Sequence, residues 1–128
     1  MGFESVLSNG RMYSGSRTKK NGMSYATYKN KNKGDYSSAV FVIGTDTLKK
    51  ARIVIGDRLD ILYDKESGRG LLRRVLEGGR KVSKASSGST AVISTKMNSN
   101  FPIVPHITEI KSVSICDDGI VFDWPTGS

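Results

Sequence analysis

Three lysines alternate with two asparagines at Lys29-Asn30-Lys31-Asn32-Lys33, a spacing suited to a polyanion. The ammonium groups can pair with phosphates, and the amides between them can hydrogen-bond to phosphate oxygens or base edges. Arg80, Lys81 and Lys84 stand ahead of the apolar run Ala91-Val92-Ile93, much as the lysine-asparagine segment stands ahead of Ala39-Val40-Phe41-Val42-Ile43. Arg17, Lys19 and Lys20 add a third group in a segment rich in Ser, Gly and Asn. The candidate DNA contacts are therefore Arg17, Lys19, Lys20, Lys29, Lys31, Lys33, Arg80, Lys81 and Lys84. A solvated hairpin tip would use the same residue types, so the pattern admits a plain structural reading as well.

Other side chains offer less. Tyr13, Tyr25, Tyr28 and Tyr36 lie among the cations, a composition that suits base stacking on a single strand. Cross-strand packing explains the same tyrosines and is the favoured reading. Arg73 and Arg74 alternate to opposite faces of their strand, and pairing with Asp60 or Asp64 competes with a ligand role. His106 is the sole histidine and has no acidic or cysteine neighbours in sequence. Cys116 is the sole cysteine, which leaves no internal disulfide and no cysteine-based zinc cage; it reads as a small buried hydrophobe in a reduced, cytoplasmic protein. The glycines of Gly68-Arg69-Gly70 and Gly78-Gly79 lack the spacing and the following Lys-Ser/Thr of a phosphate-binding loop. The expectation is a binding protein with no cofactor and no metal, not an enzyme.

Charge points the same way. The chain of 128 residues carries a formal charge of +8 and a pI near 9.7. Such a surplus attracts nucleic acid, an anionic surface or an acidic protein. It is also uneven: after Lys84 the only cations are Lys96 and Lys111, against Glu109, Asp117, Asp118 and Asp123. No apolar run approaches the roughly 20 residues of a membrane span, and no secretory leader is visible.

These residues need elements to hold them. Residues 1–21 read as a basic, mobile arm, and 22–128 as one β domain. Within it, residues 22–77 and 80–124 read as two copies of one design, divided at Gly78-Gly79. Each opens with a hairpin and passes a connector, Thr45 to Lys50 in the first and Met97 to Pro105 in the second. Each closes with an alternating strand, a turn and a last apolar strand. The first connector reads as a short helix with Thr45 as N-cap and Leu48 as apolar anchor. Ile53, Val54 and Ile55 either extend it or begin the next strand. Gly68 and Asp118-Gly119 mark tight hairpins. A unit this small cannot bury its own apolar face, so two would cover each other.

The order of strand, Leu48 helix, Gly56-Asp57-Arg58-Leu59 entry, alternating Ile61 and Tyr63, Gly68 turn and Leu71-Leu72-Arg73-Arg74 resembles the AbrB/MazE swapped-hairpin family. The match covers residues 38–75; residues 80–124 follow only the outline, with Thr108-Glu109-Ile110 in place of Gly-Asp. The resemblance implies a mostly β chain in which two tandem swapped-hairpin-like repeats form one small barrel, a pseudo-dimer in a monomer or weak homodimer. It also implies DNA binding, as transcription regulators or antitoxins do, through basic leading hairpins. DNA is expected ahead of RNA, in a regulator-like or phage or mobile-element accessory protein. An acidic partner protein and single-stranded nucleic acid are the alternative targets.

Overall fold

The computed structural model describes residues 21–29, 35–84, 90–104, 106–117 and 119–125. They form β1 (Met23–Lys29), β2 (Tyr36–Gly44), α1 (Thr45–Ala51), β3 (Arg58–Asp64), β4 (Arg69–Val75), β5 (Arg80–Lys81), β6 (Ser83–Lys84), β7 (Thr90–Lys96), β8 (Thr108–Ile110), β9 (Ser114–Cys116) and β10 (Gly119–Asp123). The described residues are mostly β with one short helix. Sheet I has the order β6-β7-β2-β1-β8 and sheet II the order β5-β3-β4-β10-β9, with every pairing antiparallel.

Alternation decides which side chains turn inward. Tyr25, Ala39, Phe41 and Ile93 from sheet I meet Leu59, Leu72, Ile120 and Phe122 from sheet II in a single buried cluster. Gly70 is part of this packing. A Cβ there would lie 2.6 Å from ring atoms of both Phe122 and Trp124, so only glycine lets the rings close onto the strand.

Among the described residues no strand pair joins the two sheets, and no closed barrel is found. Among the described residues the chain passes between them through α1, which links β2 to β3, and crosses directly at two further places. Val82 separates β5 in sheet II from β6 in sheet I, is 1% exposed, donates its amide to the Asp57 carbonyl (2.8 Å) and accepts from the Gly56 amide (2.9 Å). Residues 111–113 separate β8 in sheet I from β9 in sheet II, with Ser112 at φ 56°.

The connector helix differs in detail from the sequence reading. Gly44 is the N-cap and uses no side chain, while Thr45 is already helical. Thr47 instead anchors the helix, its hydroxyl donating to the Gly22 carbonyl at 3.3 Å. The C-terminal carbonyls of Leu48 and Lys49 accept from Ile53 (3.0 Å) and Arg52 (3.1 Å), an ending that holds Arg52 in a left-handed conformation. Ile53 to Ile55 neither lengthen the helix nor start β3. They enter a turn in which Gly56 adopts φ +100° and the Asp57 carboxylate accepts from the Val54 amide at 3.0 Å. Gly56-Asp57 is thus a turn device: the glycine supplies the positive φ and the carboxylate closes the loop. The second connector holds no helix among the described residues.

Cys116 is exposed, contrary to the buried position read from alternation. It lies in β9, a three-residue edge strand whose members are all exposed, so neither of its faces is covered.

Candidate nucleic-acid interface

Strand β5 adds to the edge of sheet II by pairing with β3, placing Lys81 opposite Arg58 and Arg80 opposite Leu59. Like charges directly across a ladder are unfavourable by a few tenths of a kcal/mol, on the order of the gain from an opposite-charge pair. Neither Arg58 nor Lys81 has an ion pair among the described residues. Arg58 donates instead to the Gly78 carbonyl (3.2 Å), and Arg80 reaches across to the Ser94 carbonyl of β7 (2.8 Å).

More cations converge on this edge. Arg74 donates to the Arg52 carbonyl at 2.9 Å, joining the end of β4 to the turn after α1. Lys49 and Lys84 line one groove, whose floor is Leu48, Ile53, Val54 and Ile55. Residues 49–58 and 74–84, which meet here, hold Lys49, Lys50, Arg52, Arg58, Arg74, Arg80, Lys81 and Lys84 against only Asp57 and Glu77. The Asp57 carboxylate is already committed to its turn. Lys49 and Lys50 also suit the negative end of α1, which accounts for those two without any ligand. The helix dipole does not account for Arg58, Lys81 and Lys84.

The nine residues singled out from sequence fall into three groups. Arg17, Lys19, Lys20, Lys31 and Lys33 lie outside the described residues. Arg80, Lys81 and Lys84 come together at the crossing. Lys29 does not join them: it ends β1, with its ammonium over the Tyr36 ring at 5.3 Å. The reason is the register between β2 and β7, which pairs Ser38 with Lys96 and Gly44 with Thr90. The two leading hairpins do lie side by side, but antiparallel, so Lys29 and Lys84 sit at opposite ends of sheet I, roughly 20 Å apart at a strand's rise per residue. Lys49, Lys50, Arg52, Arg58 and Arg74 were missed because they are distant in sequence and interleaved with acids. The signal that could have found them is the strand entry at Arg58, once β5 is paired to it.

The far end of sheet II is of another kind. The Tyr63 ring stacks on Trp124 (centroids 4.4 Å apart, 16° between planes), and Phe101 and Phe122 lie on the same indole at 5.6 and 6.0 Å. The Trp124 indole donates to the Asn100 carbonyl at 3.0 Å. Beside these rings opens a cavity of about 540 Å³ lined by Tyr63, Lys65, Ser99, Asn100, Pro102 and Trp124, with Gly68 and Pro125. Asp64 accepts from the Ser67 hydroxyl (2.9 Å) and the Glu66 amide (3.0 Å), which holds its carboxyl below the usual range and keeps the turn ionised. On the outer face between the two ends, Arg73 meets Asp60 at 3.9 Å and Arg69 meets Asp123 at 3.4 Å, so charge there is matched.

Of the tyrosines for which packing is favoured over base stacking, Tyr25 is fully buried. Its hydroxyl donates to the Pro102 carbonyl (2.6 Å), and burial pushes its phenol well above the ordinary tyrosine range. Tyr28 is exposed, Tyr36 is half-buried, and Tyr13 lies outside the described residues. No group of His, Cys, Asp and Glu among the described residues could hold a metal ion. No helix among them is long and apolar enough to cross a membrane.

Compared with family models, curated proteins and solved structures, the chain matches none. The functional reading therefore rests on this geometry alone.

Proposed function

We propose that the chain is a small nucleic-acid-binding protein that grips phosphates along the edge where β5 and β6 cross between the sheets. The observation that carries this reading is the cross-strand couple Arg58 and Lys81, without an ion pair among the described residues and set among Lys49, Arg74, Arg80 and Lys84. A ladder that places two like charges opposite each other without a counter-ion gains from an external polyanion, since each phosphate contact releases condensed ions. The leading-hairpin residue Lys29 would then serve, if at all, as a separate contact.

We further propose that the fold is a tandem swapped-hairpin arrangement of the AbrB/MazE kind. The strand pairing supports this. Each pairing in the first half has a counterpart in the second: β1·β2 with β6·β7, β3·β4 with β9·β10, and β5·β3 with β1·β8. The last two correspond residue by residue, Leu59 facing Arg80 and Ile110 facing Met23. The pairs β2·β7 and β4·β10 lie where a pseudo-twofold axis would pass.

The test is titration into labelled duplex and single-stranded DNA at about 50 and about 200 mM salt, where counterion release separates electrostatic binding from other kinds. Affinity that falls steeply with salt is the expected result. Arg58→Ala with Lys81→Ala should shrink the log–log salt slope on duplex by about 2. Absence of binding at the lower salt overturns the reading.

A second reading has its own observation. Val54 and Ile55 are 63% and 51% exposed in the groove between Lys49 and Lys84. An apolar floor with cationic rims also suits an acidic segment of a partner protein, and binding that survives high salt would favour it.

A further inference from the structure

We propose that the cavity beside Tyr63 and Trp124 takes a base of a single-stranded nucleic acid whose phosphates continue along the cationic edge. This deepens the reading above and rests on it. The cavity, at about 540 Å³, has the size of sites that hold small planar molecules. Its contents are also those a base requires. Tyr63 is already fixed by its stack on Trp124 yet remains 38% exposed, so a flat aromatic surface is held open at low entropic cost. Ser99 and the Asn100 side chain make no hydrogen bond among the described residues and can address a base edge. Lys65, on the rim, is placed to meet the adjoining phosphate.

Rigidity supports the assignment. The indole that backs Tyr63 is pinned by its hydrogen bond to the Asn100 carbonyl and by Phe101 and Phe122, and the Asn100 amide is in turn held by the Asn98 side chain at 2.8 Å. One loop thus sets both the ring stack and the polar wall. Strand β3 carries Arg58 at one end and Tyr63 near the other, roughly 17 Å apart along the strand and, by alternation, on opposite faces. A short single strand that rounds the edge of β3 beyond its pairing with β5 can span that interval, whereas a base inside a duplex cannot reach the ring without being turned out of its stack.

Trp124 is the only tryptophan, so its emission reports this cavity directly. The probe is an eight-residue oligothymidylate titrated into the full chain, read both by binding and by Trp124 fluorescence. The expected result is saturable quenching. Tyr63→Leu should weaken binding by about tenfold and remove most of the quench, and Tyr63→Phe should restore both. Asn100→Asp, at an exposed side chain with no hydrogen bond among the described residues, should weaken binding while leaving the melting temperature unchanged. Arg58→Ala with Lys81→Ala should weaken binding yet leave the quench at saturation intact.

Wild-type affinity and quench in Tyr63→Leu and Asn100→Asp would overturn the stacking site and leave the cationic edge standing. So would binding of duplex with no binding of the oligothymidylate. Failure of the wild-type chain to bind either form overturns the broader reading with it.

Discussion

The two direct crossings between the sheets, at Val82 and at residues 111–113, solve one backbone problem with different side chains. At the first, Val82 is buried and hydrogen-bonded on both sides to the Gly56-Asp57 turn, with Arg80, Lys81 and Lys84 around it. At the second, Ser112 carries the strain of a left-handed conformation, its carbonyl accepts from Arg69 at 3.2 Å, and its surroundings are Glu109, Lys111 and the exposed strand β9. The pairings around each are alike, Leu59 facing Arg80 and Ile110 facing Met23. A few buried side chains and the ladder therefore suffice to make a crossing. The exposed positions are left free, and the first crossing has gathered a cluster of cations in them where the second has Lys111 beside Glu109, which is why a polyanion is proposed there.

Substitutions can break this contrast at several strengths. The largest effect should come from Val82→Ala, which opens space in the core and is expected to cost about 2 kcal/mol, against about 1 kcal/mol or less for half-buried Val113→Ala; urea denaturation of both decides it. Next, Lys81→Glu should lower DNA affinity about tenfold or more at about 50 mM salt. The same change should raise stability by roughly 0.5 kcal/mol, because it turns a like-charge pair with Arg58 into an attractive one. Lys111→Glu should leave affinity within about twofold, since its crossing lacks the cation cluster. Equal losses from Lys81→Glu and Lys111→Glu would remove the distinction between the crossings.

A smaller effect is expected from Ser112→Gly, which relieves the positive φ at some entropic cost and should raise the melting temperature slightly, by roughly 0.5 kcal/mol in stability. The smallest concerns Cys116. A maleimide should label this exposed thiol at the rate of a free peptide thiol and leave DNA affinity unchanged. Slow labelling would mean that the second crossing is covered in solution.

Much of the β architecture was legible in the residues. Alternation in Leu59 to Tyr63 and the apolar run from Ala39 to Ile43 mark real strands, Leu48 anchors a real helix, and Gly68 takes the left-handed φ of +69° its hairpin needs. What failed did so where local pattern gave no information about partners. Cys116 alternates like a buried residue, but burial depends on a covering layer that an edge strand of three residues lacks. Arg80 and Lys81 read as the start of a hairpin with β7, whereas the buried Val82 diverts them to β3 in the other sheet. That diversion is why the cationic site could not be assembled from sequence: its members come from α1, β3, β4, β5 and β6, and only tertiary pairing makes them neighbours. Tyr63 and Trp124 were likewise read separately, because nothing in either segment announces a stack between them.

Strand β1 has a bearing on how the chain reaches this state. Beyond its hairpin partner β2, it is completed by β8, with Met23 facing Ile110. On a ribosome, the outer edge of Met23 to Tyr25 must wait unpaired until residue 110 has emerged. Pairings of such long sequence separation are slow to form and leave open edges meanwhile. The protein should accordingly acquire its structure late and in one step, and chaperone demand should fall on the nascent chain rather than on the finished molecule.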